Sequence, residues 1–471
     1  MKIKIDKWLL LLVLVAISAC KVSKDVSVPQ ENLPDTFRNA EQIADTASFA
    51  DISWKAVFTD QTLVLLIDKA IAKNHDMQLA LKNIDAAQLM VKQVKWNHAP
   101  SVGVNVSGST ANPSDNSLNG LTLGQFLGTN HIEDYSANLT LSWEADIWGR
   151  IRSQSKAALA QYLQTQEARK AIQTNLVASI AQGYYRLLMF DEQLRIAKRN
   201  LDLNDSTLRI VRLQYDAGLV TLAALQQSQA QRMEVAQLLP QLEQRIILQE
   251  NALQLLTGEL PAPLNRKGLL DDITFPDTLN AGIPIRLLSR RPDIKSQELE
   301  LTVANAKVGI SKAAMYPTLR ITASGGLNSL EASDWFKTPS SLFGVVAGSV
   351  FQPILQQKQM RTQYKLTLVE REKSVIKFRQ SVLVAVGEVS DALAKIEKLR
   401  QTQSIAVDRV DALQQATFNA NLLFKNGKAN YLEVIVAQGN VLKGELELAE
   451  IKTSMLSAVS ELYRSLGGGW N

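Results

Sequence analysis

The sequence predicts a mainly α fold with a small β part, built from long antiparallel coiled-coil helices and four strands. Three observations predict it. The chain repeats its plan once, each half holds a long proline-free stretch with an apolar seam, and two alternating segments precede each stretch. Asp76–Gly108 lies on Asp293–Gly325 without a gap, at a constant offset of 217. Asp76/Asp293, Ala87/Ala304, Val91/Val308, Lys95/Lys312, Pro100/Pro317, Ser107/Ser324 and Gly108/Gly325 are identical. Further on the offset falls to 209, where Tyr215–Gly218 answers Phe424–Gly427 and Gln229 answers Gln438. The lost residues fall mostly between the two strands of each half, as for an exposed loop of variable length. The period is too long for a solenoid unit. It reads as one fused duplication, a route to building a ring in a symmetric assembly.

The elements follow in order. Residues 21–60 are polar, contain Pro29 and Pro34, and read as an extended lead-in. Thr62–Trp96 is one helical pattern, with Leu63, Leu66, Ile67, Ala70 and Ile71 on one face. Val102, Val104 and Val106 alternate with Gly103, Asn105 and Ser107 as a strand, and Tyr135, Ala137, Leu139, Leu141 and Trp143 mark the return strand. Asn, Ser, Gly and Thr make residues 111–133 a loop.

From Gly149 to Ala217 there is no proline, and Ile172, Leu176, Ile180, Tyr184, Leu187, Leu194, Leu201, Leu208, Val211 and Tyr215 form a coiled-coil seam. At 1.5 Å per residue the helix reaches on the order of 100 Å. Gly218 breaks it, and a second helix runs from Thr221 to Leu256 with a bend expected at Pro240. The second half repeats this. Strands at Leu319–Ala323 and Phe343–Ser349 lead to a helix from Gln352-Pro353 to Asn426, with a seam of Val382, Val386, Val389, Leu393 and Ile396. Gly427 breaks it, and Tyr431–Leu466 completes the set.

Composition excludes several classes. With 21% charged and 46% apolar residues the chain is globular. A net charge of +5, evenly spread and without interleaved aromatics, gives no support to nucleic acid as a partner. His75, His98 and His131 stand alone, so no His-based metal site is expected. No Ser-His-Asp order, phosphate-cradling glycine loop or Cys/His site is present, and the chain reads as a non-enzyme.

Lys2, Lys4 and Lys7 precede an apolar run, Trp8–Ile17, too short for a stable membrane anchor. Ile17-Ser18-Ala19-Cys20 resembles a bacterial lipobox, with Cys20, the single cysteine, as the acylated residue and Lys21 suited to outer-membrane sorting. The competing reading is an ordinary signal peptide cut near Ala19. Four strands are too few to close a barrel alone. Three copies would supply twelve strands of membrane-crossing length, against a small soluble cap on the coiled coil as the other reading.

Four motifs in this order carry a family resemblance: Ser142–Arg150, Leu288–Ile294, Phe351–Ile354 and Leu466–Trp470. With the long helices they make the chain similar to the TolC-like outer membrane factor family. The likeness is closest to its lipoprotein branch, the NodT-type efflux lipoproteins of resistance-nodulation-division tripartite systems. The resemblance implies a homotrimer with a twelve-stranded transmembrane β-barrel and a periplasmic α-barrel of long helices. It also implies a periplasmic adaptor (membrane fusion protein), an inner-membrane resistance-nodulation-division transporter and no cofactor beyond a covalent lipid on Cys20. The chain would be a passive exit duct for drugs or other small toxic compounds. Metal-ion efflux, type I secretion and a non-channel coiled-coil surface lipoprotein stay as alternatives. The expected divisions are 1–19 signal peptide, 20–60 lipidated extended segment, 61–260 first repeat, 261–285 linker and 286–471 second repeat.

The same likeness places the gate at the turns around Gly218 and Gly427. Leu432 falls on the family's apolar constriction and Glu433 near an acidic position, while Val436 and Ala224 stand where relatives often carry aspartate. A ring of leucines resists wetting and close carboxylates repel or select cations. The competing reading for Glu433 is a solvated helix tip. Trp143, Trp148 and Trp335 are expected as aromatic anchors near the membrane interfaces, with core packing the alternative for Trp148. Arg290-Arg291-Pro292-Asp293 reads as a linker-to-helix joint, its arginines bracketing neighbouring acids.

Overall fold

The computed structural model describes residues 22–29, 33–38, 48–126, 128–275 and 281–470; the expected signal peptide, 1–19, and Cys20 lie outside them. The two halves fold to matching elements. Trp54–Val57 (α1) is a single turn, followed by Gln61–Lys73 (α2) and His75–Trp96 (α3). Ser101–Ala111 (β1), Leu118–Phe126 (α4) and Ile132–Ala145 (β2) lead to Arg150–Asp216 (α5) and Leu222–Leu256 (α6). In the second half come the short Leu287–Arg290 (α7), Pro292–Ala313 (α8), Thr318–Ser329 (β3) and Leu342–Phe351 (β4). Gln359–Lys425 (α9) and Tyr431–Ser465 (α10) close it. Helix lengths match in pairs: 22 residues for α3 and α8, 67 for α5 and α9, 35 for α6 and α10.

Four local expectations are corrected. The single helix Thr62–Trp96 is two, because Asn74 accepts from the Asp76 and Met77 amides (2.9 and 3.2 Å) and so caps a new helix. The 111–133 loop contains α4, where the Ser117 hydroxyl accepts from the Gly120 amide at 3.1 Å. The helix expected at Gln352 starts at Gln359, after Gln357 and Lys358 take left-handed φ values of 50° and 63° that no α-helix accommodates. Pro240, where the bend was expected, lies inside the continuous helix α6. Residues 22–29 of the lead-in form no helix or strand, but its later part folds: Phe49, Trp54 and Phe58 are buried, with Phe49 edge-on to Tyr463 at 5.4 Å.

The chain divides into two compact units, each drawing on both halves. The first, 1–29, 85–163 and 299–376, holds an antiparallel sheet in the order β1-β2-β3-β4. Its register pairs Val104 with Leu139, Leu139 with Gly325 and Gly325 with Gly344. β1 and β4 are the open edges, and their apolar residues Val102, Val104, Val106, Val345 and Val350 are exposed.

The second unit, 30–84, 164–298 and 377–471, holds the main core. Tyr184, Tyr185, Leu187 and Leu188 of α5 meet Val382 and Val389 of α9 and Val459, Leu462 and Tyr463 of α10. The predicted α5 seam holds from Leu176 to Leu187 and again at Val211. Between these the buried line passes through Gln193, Ile196, Asn200, Asn204 and Thr207, while Leu194, Leu201 and Leu208 are half-buried. A polar layer replaces the leucines there.

Candidate functional site

Both long helices end in the same way. Gly218 and Gly427 take φ of +73° and +68°, a conformation that costs an L side chain energy and glycine none. The Gly218 and Leu219 amides donate to the Tyr215 and Gln214 carbonyls, each at 2.8 Å. The Gly427 and Lys428 amides donate to Phe424 and Leu423 at 3.0 and 2.8 Å. The next helix starts at a side-chain cap in each case, Thr221 accepting from the Ala224 amide and Asn430 from the Glu433 amide. Val211, Ala224, Leu225, Phe424 and Val434 pack the two turns into one small core, and the Tyr431 hydroxyl donates to Gln227 at 3.3 Å.

The structure thus brings Gly218 and Gly427 together and leaves Leu432 outside their core, 44% exposed. The Glu433 carboxylate accepts from the Asn430 amide at 3.4 Å, closing a capping box, so it has a local bond as well as an exposed position. Ala224 is buried in the tip core, and Val436 is exposed beside Leu432.

Behind the tip lies a polar layer that periodicity missed. Gln438 is fully buried; its side-chain amide donates to the Thr207 hydroxyl at 2.9 Å, and Asn200 donates to its backbone carbonyl at 3.1 Å. Arg199 reaches Glu445 at 2.5 Å, and Gln414 donates to the same carboxylate at 2.7 Å. Gln438 was visible in the sequence only as the partner of Gln229 in the repeat.

The motifs at the strand–helix joints have local causes. Arg150 holds Glu144 through two bonds of 2.9 and 2.6 Å, and Asp146 accepts from the Ile151 and Arg152 amides at the start of α5. Trp148 donates to the Pro317 carbonyl at 2.7 Å and stacks on Tyr316 at 4.8 Å. Trp143 donates to the His98 carbonyl at 2.9 Å. Trp335 lies in the β3–β4 loop between Tyr135 and Phe336, at 5.5 and 5.1 Å. On the other strand end, Gln352 donates to the Met315 carbonyl at 3.0 Å.

The remaining two motifs form one bracket. Arg291 is 4% exposed and holds Asp293 through two bonds, Glu388 at 2.7 Å and the Ser465 carbonyl at 3.0 Å. Burial pushes the Asp293 carboxyl up, but the hydrogen bonds and charge of Arg291 outweigh it and hold the group below its ordinary value. Arg464 adds Glu461 and Glu388, and Arg290 pairs with Asp51. Glycine is required in the tail. A Cβ on Gly467 would lie 3.2 Å from the Arg290 backbone, and one on Gly468 would lie 2.5 Å from the Tyr463 ring.

Comparison with known proteins gives this geometry a family. Residues 66–259 and 283–468 match the family described as outer membrane efflux protein. The probable outer membrane lipoprotein SilC of Salmonella typhimurium is 27% identical over 425 residues, covering 90% of this chain and 89% of SilC. The toluene efflux pump outer membrane protein TtgF of Pseudomonas putida is 28% identical over 470 residues, covering 97% and 95%. Among solved structures, the open state of the Neisseria gonorrhoeae MtrE outer membrane channel superposes with a TM-score of 0.84 at 25% identity, over 96% of this chain and 99% of that one. A doubled helix–sheet plan of matched lengths, an open-edged sheet and family matches over both halves converge: the chain belongs to the outer membrane efflux protein family.

Proposed function

We propose that three copies of the chain, each acylated on Cys20, close their sheets into one twelve-stranded outer-membrane barrel. The long helices form a periplasmic tunnel beneath it. The duct is passive. An inner-membrane resistance-nodulation-division transporter supplies the work, and a periplasmic adaptor joins the two. The observation that carries the assembly is the sheet: β1 and β4 offer unpaired edges and exposed valines, a combination that proteins otherwise suppress. Pairing the edges between copies removes both liabilities. Drugs and other small toxic compounds are the favoured cargo, in keeping with the toluene pump protein among the relatives.

The gate in this reading is the ring of Leu432 and Glu433 at the Gly427 turn, with Gly218 shaping the neighbouring hairpin. Trp143 and Trp335 anchor the barrel at its interfaces, and Trp148 packs the joint below it. Single-channel recording in planar bilayers tests the gate. The wild type is expected to conduct weakly, and Leu432→Ala with Glu433→Gln to conduct strongly. Glutamine retains the capping bond to Asn430, so the substitution removes charge and leaves the helix start intact. Silence from both, in a verified folded trimer, refutes the duct gated at this turn.

A further inference from the structure

The first unit contains a built receptor for an extended peptide, and its occupant is the N-terminal segment of the chain itself. Asn305 of α8 is 6% exposed. Its carboxamide accepts from the Val26 amide at 3.0 Å and donates to the Val26 carbonyl at 2.9 Å. Both polar groups of one residue are read by one side chain, as a neighbouring strand would read them. One turn along α8, Gly309 leaves room for Ser153 of α5 and, beside it, for the segment. A Cβ there would stand 2.8 Å from the Ser153 hydroxyl and 3.2 Å from that of Ser23. Two further helices close the grip: Lys156 of α5 meets Asp25 at 2.6 Å, and Arg371 of α9 donates to the Lys24 carbonyl at 3.2 Å.

We propose that Asn305 and Gly309 form a peptide-backbone notch that seats Ser23–Val26 and so straps α5, α8 and α9 together. The duplication supplies an internal control. At the constant offset of 217, α3 carries Gln88 and Lys92 in the corresponding places, both exposed. Lysine fills the space that Gly309 leaves open, so α3 does not carry the same asparagine–glycine pair. The strap also sets where the chain can reach a membrane. Three residue steps separate Cys20 from Ser23, a reach of about 10 Å at full extension. On the lipidation reading, the acyl chains must therefore enter the bilayer close to the roots of these helices.

Hydrogen exchange across residues 22–29 and trypsin cleavage after Lys24, both on the purified full-length mature protein in detergent, test the notch. Asn305→Leu keeps the volume and loses both bonds. It is expected to speed exchange at Val26 and cleavage at Lys24 on the order of tenfold, with the rest of α8 unchanged. Unchanged exchange and cleavage overturn the proposal. If Asn305→Leu fails to fold, the charge swap serves: Asp25→Lys and Lys156→Asp each loosen the segment, and the double variant restores it. No change in either single variant is again a refutation. Cys20→Ser separates the strap from the lipid. Protection persists in that variant if the notch holds the segment, and protection lost with the acyl chains overturns the notch.

Discussion

Arg291→Met tests whether two distant motifs, Leu288–Ile294 and Leu466–Trp470, hold each other. Methionine fills the buried stem and removes every donor. Breaking one side of a buried ion pair costs about 3–5 kcal/mol. The lower end applies here, because both carboxylates keep other support. The Asp293 side chain is 47% exposed at the start of α8, and Glu388 retains Arg464 at 3.2 Å. About 3 kcal/mol of local stability corresponds to roughly a hundredfold faster exchange in peptides covering 287–300 and 463–470. Arg290→Met, removing the more exposed pair with Asp51, is expected to change the same peptides less than about tenfold. The pH dependence has a definite sign. The Asp293 carboxyl is held below its ordinary value of 3.8, so its contribution is complete above that value and is lost as pH falls through the lower folded value. Exchange corrected for intrinsic rates should stay flat from neutral pH into the weakly acidic range, then rise. Equal effects from the two arginine variants, or loss of protection already at mild acidity, would refute the bracket.

Other outcomes follow from glycine geometry. Gly427→Ala meets no atom within 4 Å, so its cost is backbone strain alone, about 1–2 kcal/mol, seen as faster exchange confined to the tip hairpins. Gly326→Val is of another kind. A Cβ there would stand 2.1 Å from the Ala137 carbonyl oxygen, so β2 and β3 must separate, and heat-stable barrel assembly on gels should be lost.

The helices and strands were legible because long runs of period 3.6 and period 2 survive in single residues, and Gly218 and Gly427 punctuate them. What escaped has physical reasons. Asn74 reads as one polar residue in a helical face, yet its side chain ends one helix and begins another. The seam from Gln193 to Thr207 hid because buried amides and hydroxyls pattern like surface residues until their partners in α10 are known. Apolar α4 carries too few residues for periodicity to separate it from a loop. The two terminal motifs were visible separately, but nothing local joins Arg291 to Ser465. Leu432 and Glu433 were placed by resemblance alone, since one exposed leucine beside one glutamate has no signature of its own.

The duplication shows what the joint requires. At the repeat offsets, Asn74 corresponds to Arg291 and Leu256 to Ser465. Asn74 donates to the Leu256 carbonyl at 2.9 Å, as Arg291 donates to that of Ser465. Gly258 and Gly467 also correspond; both have positive φ, and a Cβ on either would press on the backbone of Lys73 or Arg290, themselves equivalent positions. The shared requirement is therefore a donor at the start of α3 or α8 that satisfies the last carbonyls of the long hairpin that follows in the same half, at the end of α6 or α10. Arginine adds Glu388 and Asp293 to that minimum. Arg291→Asn should then recover part of what Arg291→Met loses, because asparagine can cap α8 and reach Ser465 as Asn74 does in the first half. Exchange near tenfold above wild type is expected, against about a hundredfold for methionine. Asparagine no better than methionine would show that the charge pairs with Glu388 and Asp293, and not the carbonyl bond, hold the second joint.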